Sequence, residues 1–161
     1  MAMPCCCSMT NVLMHTVYLG LGSNMGDRQA TLLKAYAEIE KLIGTIVRQS
    51  AFIISEPWGF ETPHIFLNSV ICCETKLNPF DVLWETQAIE RRLGRTQKSI
   101  GGLYHDRPID IDILLYDQLQ LHTPLLTIPH PLMLQRSFVL QPLLEIMPFG
   151  DGMNVGWSQS L

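Results

Sequence analysis

Asp110 and Asp112 stand two residues apart inside Arg107-Pro108-Ile109-Asp110-Ile111-Asp112-Ile113-Leu114-Leu115, an otherwise apolar run that reads as a buried β-strand. Side chains at i and i+2 of a strand share a face, so the two acids project together while Ile109, Ile111 and Ile113 face a core. Buried carboxylates are tolerated only when paired or coordinated, since each unpaired charge costs several kcal/mol. Their Cβ atoms, about 7 Å apart, suit a pair of magnesium ions about 4 Å apart, an arrangement that clamps both ends of a phosphoryl group in transfer. The competing reading is a strand face turned to water, where alternating acids serve only solubility. The upstream Arg107 and the branched aliphatics around the acids favour the metal reading.

Arg95, Lys98 and Arg107 lie within thirteen residues on a polar connection and the strand beside it, where they can converge on a polyphosphate. Taken alone, such a cluster reads equally as a solvated basic loop. His130 sits between Pro129 and Pro131, a frame that holds an imidazole firmly toward a phosphate, although a lone histidine in a turn is more often structural than catalytic; Arg136 follows as a further phosphate contact. The loop at 56–65 and the residues after it supply Trp58, Phe60, Phe66 and Asn68, flat faces plus an amide able to read a planar heterocycle. Simple anchoring of that loop would use the same aromatics. The pattern G-x-x-x-x-G-K-[ST] does not occur, which excludes a Walker-type phosphate loop.

The elements that must position these groups follow from periodicity. Residues 16–21 are short, apolar and β-branched, and the glycine-rich turn at 20–26 ends a first strand near Gly22. Asp27 is suited to cap a helix in which Leu32, Leu33, Tyr36, Ile39 and Ile43 recur at helical spacing until Gly44. Residues 46–55 read as a second strand and 66–75 as a third, after which Asn78 opens a helix carrying Phe80, Val82, Leu83, Ile89 and Leu93 inward and ending at Gly94. The aspartate strand follows. Beyond Tyr116 come a turn at Asp117, a strand-like 118–121, Pro-rich turns and short helices before Phe149. The order β-α-β-β-α-β predicts an α+β, ferredoxin-like domain with an antiparallel sheet and its main helices on one face. A doubly wound parallel sheet is the weaker competitor, because it needs a helix between the second and third strands.

Composition bounds the function. The chain has 161 residues, 47% hydrophobic and 16% charged, as expected of one domain over 15–161 after a poorly ordered N-terminal extension at 1–14. Eleven Lys plus Arg against fifteen Asp plus Glu give a charge of -4, unsuited to a nucleic-acid backbone. No apolar run reaches the roughly 18 residues of a membrane span, and neither a secretory signal nor zinc-like cysteine spacing is recognisable. The expectation is a cytoplasmic monomer with reduced thiols that binds no nucleic acid and no membrane. Two other readings still fit the residues. One is a binding module for single-stranded nucleic acid, against which the acidic balance speaks; the other is a different metal-dependent phosphoryl or nucleotidyl transferase.

An ordered set of segments carries a resemblance: Leu19-Gly20-Leu21-Gly22-Ser23-Asn24-Met25-Gly26-Asp27, Glu56-Pro57-Trp58-Gly59, Phe66-Leu67-Asn68, Ile89-Glu90 with Leu93-Gly94-Arg95, the aspartate run, Ile128-Pro129-His130-Pro131 and Arg136-Ser137-Phe138-Val139-Leu140. Together they resemble the 6-hydroxymethyl-7,8-dihydropterin pyrophosphokinases of folate biosynthesis from about Tyr18 to Pro148. The resemblance implies a ferredoxin-like fold and transfer of the β,γ-pyrophosphoryl group of ATP to the pterin hydroxymethyl oxygen, releasing AMP. It implies two magnesium ions on Asp110 and Asp112, and a catalytic set of these aspartates with Arg95 and Arg107. Gln87, Arg95, Lys98, Arg107, Ile111, His130 and Arg136 would bind ATP, and Ser55, Glu56, Trp58, Phe66, Asn68 and Phe138 the pterin. The chain departs from the family pattern at Gln97, where many members carry a second arginine. Tyr104-His105-Asp106 replaces the commoner Trp-Gly-Pro, and Ser55 replaces a usual threonine.

Overall fold

Four antiparallel pairings build the main sheet in a computed structural model that describes residues 13–95 and 106–148. Lys98, Gln97, Tyr104, His105, the three N-terminal cysteines and most of the expected N-terminal extension lie outside the described residues. The elements are β1 (His15–Ser23), α1 (Arg28–Leu42), β2 (Gly44–Gln49), β3 (Ile53–Ser55), β4 (Phe66–Thr75), α2 (Pro79–Arg92), β5 (Asp110–Tyr116), β6 (Leu121–His122), β7 (Thr127–Ile128), a 3-10 turn (Met133–Gln135) and α3 (Ser137–Ile146). The sheet order is β2-β4-β1-β5, with β3 also paired to β4. This is the α+β arrangement expected from the order of elements, and it excludes the parallel competitor, because every ladder is antiparallel.

Residues 46–55, expected as one strand, form two. β2 pairs with the Ile71–Thr75 half of β4 and β3 with Phe66–Asn68. At the break Ser50 replaces the ladder: its N–H donates to the Val70 carbonyl at 2.9 Å and its Oγ accepts from the Val70 N–H at 2.9 Å. A hydroxyl that satisfies the backbone of the opposite strand lets the chain leave the sheet without orphaning a donor.

Both helices start where their caps predict. Asp27 accepts from the Ala30 N–H at 3.1 Å, and Asn78 accepts from the Asp81 N–H at 2.9 Å with Pro79 in the first turn. Their inner faces differ from the expectation at one position each. Leu33 is 49% exposed and Phe80 37% exposed, while Ala35 of α1 and Thr86 and Glu90 of α2 are buried. Helical spacing admits more positions to the apolar stripe than the sheet covers.

The sheet has two packed faces. Val17, Leu19, Leu21, Ile71, Cys73, Ile109, Ile111 and Ile113 meet α1 and α2 in the larger cluster, whereas Tyr18, Val70, Cys72, Leu114 and Leu115 meet Met133, Leu143 and Ile146 in a smaller one. A register shift between β1 and β5 beside Leu19 breaks the alternation, so Leu114 and Leu115 share the second face and Tyr116 returns to the first. The C-terminal segment covers only part of the second face, and the uncovered part is the site. Cys72 and Cys73 are buried free thiols; burial, with the nearby Cys72 and Glu40, pushes the Cys73 thiol up to about 12, which keeps it protonated.

Gly44 opens β2 two residues after the end of α1, and a Cβ there would lie 2.0 Å from the Glu74 carbonyl oxygen. That contact is backbone against backbone, so no side chain can yield. Gly44→Ala is expected to destabilise the fold by about 3 kcal/mol, a fall in Tm of about 6–12 °C in a thermal melt.

Candidate active site

Asp110 and Asp112 face the uncovered side of the sheet, opposite Gly22 and Gly20 of β1. On the other flank of β1, Asn68 pairs with Gly22 and Val70 with Gly20. The two glycines thus make a floor without side chains between a pair of carboxylates and a carboxamide. A Cβ at Gly22 would come within 2.9 Å of Asn68 Oδ1, and one at Gly20 within 3.3 Å of Leu114 Cδ1. The cleft above this floor encloses about 600 Å³ of space, the open solvent at its mouth included. Glu56, Trp58, Phe66 and Phe138 line it with Arg107, His130 and Arg136.

The cations and the carboxylates are interlocked. Arg95 Nη1 donates to Asp110 Oδ1 at 2.6 Å and to the Ile109 carbonyl at 3.2 Å, and lies 3.6 Å from Glu90 Oε2. Arg107 Nη2 is 3.5 Å from Asp110 Oδ2, and its guanidinium carbon stands 4.9 Å from the Phe66 ring centroid. Arg136 stands 4.4 Å from the Trp58 centroid and 5.9 Å from that of Phe138. The Arg107 and Arg136 guanidinium groups each lie within cation–π range of an aromatic ring that lines the cleft. His130 Nδ1 accepts from the Leu132 N–H at 3.1 Å, so a neutral imidazole carries its proton on Nε2.

Asn68 is oriented from behind. Its Nδ2 donates to Ser55 Oγ at 2.7 Å and to the Ile53 carbonyl at 3.3 Å, which turns Oδ1 toward the glycine floor. Ser55, expected in the ring pocket itself, therefore does not line the cleft; it holds the residue that does. Ile111 also stands apart: its side chain is 2% exposed in the helix-side core, and its N–H donates to Glu90 Oε2 at 2.7 Å. The alternation that sends Asp110 and Asp112 to the cleft sends Ile111 away from it. Gln87 is half-buried on α2 and, like Arg95, is not among the lining residues.

The family model for 7,8-dihydro-6-hydroxymethylpterin-pyrophosphokinase (HPPK) matches residues 18–148. The chain belongs to this family. A 2-amino-4-hydroxy-6-hydroxymethyldihydropteridine pyrophosphokinase of Porphyromonas gingivalis is 53% identical over 84% of this chain and 93% of its own length. Proteins with the same name from Aquifex aeolicus and Bacillus subtilis are 44% and 42% identical, over 84% and 82% of this chain and 82% and 78% of their own. Among solved structures, an HPPK-DHPS in complex with substrates superposes with a TM-score of 0.68 at 15% identity, over 83% of this chain and 40% of that one. An HPPK-DHPS of Plasmodium falciparum gives 0.66 at 16% identity over 84% of this chain and 40% of its own. The chain thus spans about 40% of those larger chains, which bear on its fold. The family relationship makes this chain an ATP-dependent pyrophosphokinase, an enzyme rather than a nucleic-acid-binding module.

Three features of this HPPK-family site escape a reading of residue types alone. Gly20 and Gly22 look like parts of a turn, yet their role is to leave the floor open. Glu90 looks like an ordinary helix-surface acid, although it lies four residues after Thr86 on the buried stripe of α2, which is the signal that distinguishes it. Asn24 looks like a turn residue but is 3% exposed and bonded to Arg107. Gly22→Ala tests the first: a Cβ against Asn68 Oδ1 is expected to displace that amide and raise the KM of a substrate about tenfold, the effect of one lost hydrogen bond, in steady-state assays.

Proposed function

We propose that this cleft joins two magnesium ions, ATP and 6-hydroxymethyl-7,8-dihydropterin so that the pterin hydroxymethyl oxygen attacks the β-phosphorus in line, giving the pterin diphosphate and AMP. The observation that carries the reading is the pair Asp110 and Asp112 on one face of β5, in one cleft with two arginines and three aromatic rings. Hard carboxylate oxygens suit magnesium, which keeps several waters and takes one or two protein carboxylates together with substrate phosphates. Asp110 and Asp112 offer two such carboxylates to the cleft, a donor set of the kind magnesium takes. When bound, the ions would neutralise the phosphates and raise the acidity of the attacking hydroxyl.

The chain's own groups supply the rest. Arg107 and Arg136 meet the phosphate oxygens, and His130 donates from Nε2 to a further one. Trp58, Phe66 and Phe138 offer faces to the bicyclic ring, and the Asn68 Oδ1 accepts from its N–H edge. Glu56 lines the same end of the cleft. Arg95, braced between Glu90 and Asp110, holds the first carboxylate in place from beneath. Gln87 and Lys98 belong to the ATP side in this reading. No side-chain nucleophile is needed, and transfer is a single displacement governed by positioning and charge. A monomer is the working unit in this reading, and among the described residues no helix is long and apolar enough to cross a membrane.

The test is product analysis. Incubation with ATP, magnesium and the reduced pterin should yield AMP and a pterin diphosphate by chromatography, and no AMP when the pterin is omitted. ADP as the product, or AMP formed equally without pterin, would overturn the proposal.

A further inference from the structure

A second polar cluster lies outside the cleft and ties three loops together. Asn24, at the end of β1, binds Arg107 on both sides: its Oδ1 accepts from the Arg107 N–H at 2.8 Å, and its own N–H donates to the Arg107 carbonyl at 3.2 Å. The Nδ2 of the same side chain donates to Asp106 Oδ1 at 2.8 Å and to the His64 carbonyl at 3.3 Å. The other Asp106 oxygen meets His64 Nδ1 at 2.6 Å and accepts from Thr62 Oγ1 at 3.1 Å, while that Thr62 oxygen accepts from the His64 N–H at 3.2 Å. A neighbouring bond runs from Arg28 Nη1 to the Ile65 carbonyl at 2.7 Å.

Asp106 is therefore bonded at one oxygen to the β1 end that grips Arg107, and at the other to the loop that carries Trp58 and leads into Phe66. Although burial disfavours its charge, bonds from His64, Asn24 and Thr62 hold its carboxyl below the usual carboxylate range. None of Asn24, Thr62, His64 or Asp106 lines the cleft. Whatever they do for the reaction passes through the residues they hold.

We infer that Asp106 is a positioning residue for the pterin: its carboxylate fastens the ring-binding loop, through His64 and Thr62, to the strand end that holds Arg107. The inference rests on the assignment of Trp58 and Phe66 to the ring pocket. A loop fastened before binding does not lose that freedom when the ring enters, so the tie favours the pterin without touching it. Asn24 differs, because it also fixes the Arg107 backbone and so bears on the phosphate side.

The predicted signature is a split between the two substrates. Asp106→Ala in the full chain is expected to raise the pterin KM at least tenfold, with the ATP KM within twofold and kcat within threefold of the parent, whereas Asn24→Ala is expected to raise both KM values and lower kcat. Asp106→Asn, which keeps acceptor and shape but not charge, should restore part of the pterin affinity. Because the bond to His64 is shared, Asp106→Asn combined with His64→Gln should cost no more than the worse single change. Unchanged pterin KM in Asp106→Ala, an equal rise in both KM values, or additive effects in the double variant would overturn the inference. The parent enzyme separates the two ideas: no pterin-dependent AMP from it refutes the assigned reaction, while a parent-like pterin KM in Asp106→Ala, with AMP formation intact in the parent, refutes the tie alone.

Discussion

Asp112→Ala is expected to lower the rate of AMP formation by at least about a thousandfold, an effect of about 4 kcal/mol on the barrier, with the melting temperature within a few degrees of the parent. The separation of the two readouts follows from where the side chain points. Asp112 projects from β5 into the cleft opposite Gly20, a floor position with no Cβ of its own, so truncation opens no void in the packed clusters. Asp110 is a less clean target, because its carboxylate also neutralises Arg95, whose side chain is 3% exposed. Removing it would combine lost metal binding with an underpaired buried cation. Activity of Asp112→Ala within tenfold of the parent, at any magnesium concentration, would eliminate the two-metal arrangement.

Glu90→Ala is expected to destabilise the fold by about 3–5 kcal/mol, the cost of breaking a buried ion pair from one side, and to lower Tm by about 6–20 °C. Glu90 Oε2 accepts from the Ile111 N–H at 2.7 Å and stands 3.6 Å from Arg95 Nη1, all within the protein interior. Its loss leaves the Ile111 N–H without that acceptor and shifts Arg95 toward Asp110 as its remaining acidic neighbour among these contacts. Since Ile111 lies between the two cleft aspartates, a relaxed strand there should also weaken magnesium binding, seen as a higher metal concentration for half-maximal rate. Glu90→Gln, which keeps an acceptor for the Ile111 N–H, should recover more stability than activity. A Glu90→Ala protein as stable as the parent would show that the buried triad contributes no net free energy.

The legible part of this protein was the local part. Strand alternation put Asp110 and Asp112 on one face and the three isoleucines on the other, and a capping side chain before each apolar stripe located α1 and α2, because those rules depend on residues a few positions apart. The aromatic loop and the Pro-His-Pro segment could be read by type as ligand contacts or as plain packing, and the structure brings Trp58, Phe66, Phe138, His130 and Arg136 to one cleft. Leu33 and Phe80 show where periodicity stops being informative: it marks an apolar stripe without saying how much of it the sheet will cover.

What only the tertiary structure decided is which partner each group meets across long separations in the chain. Ser55 meets Asn68 behind the cleft, Arg95 and Glu90 brace the strand from below, and Gly20 and Gly22 matter for the side chains they lack. Asp106 gains its place from contacts forty-two and eighty-two residues away. Sequence fixes side-chain type and local direction through backbone sterics, whereas pairing across the sheet and between loops is set by packing of the whole domain, which no short window of residues contains.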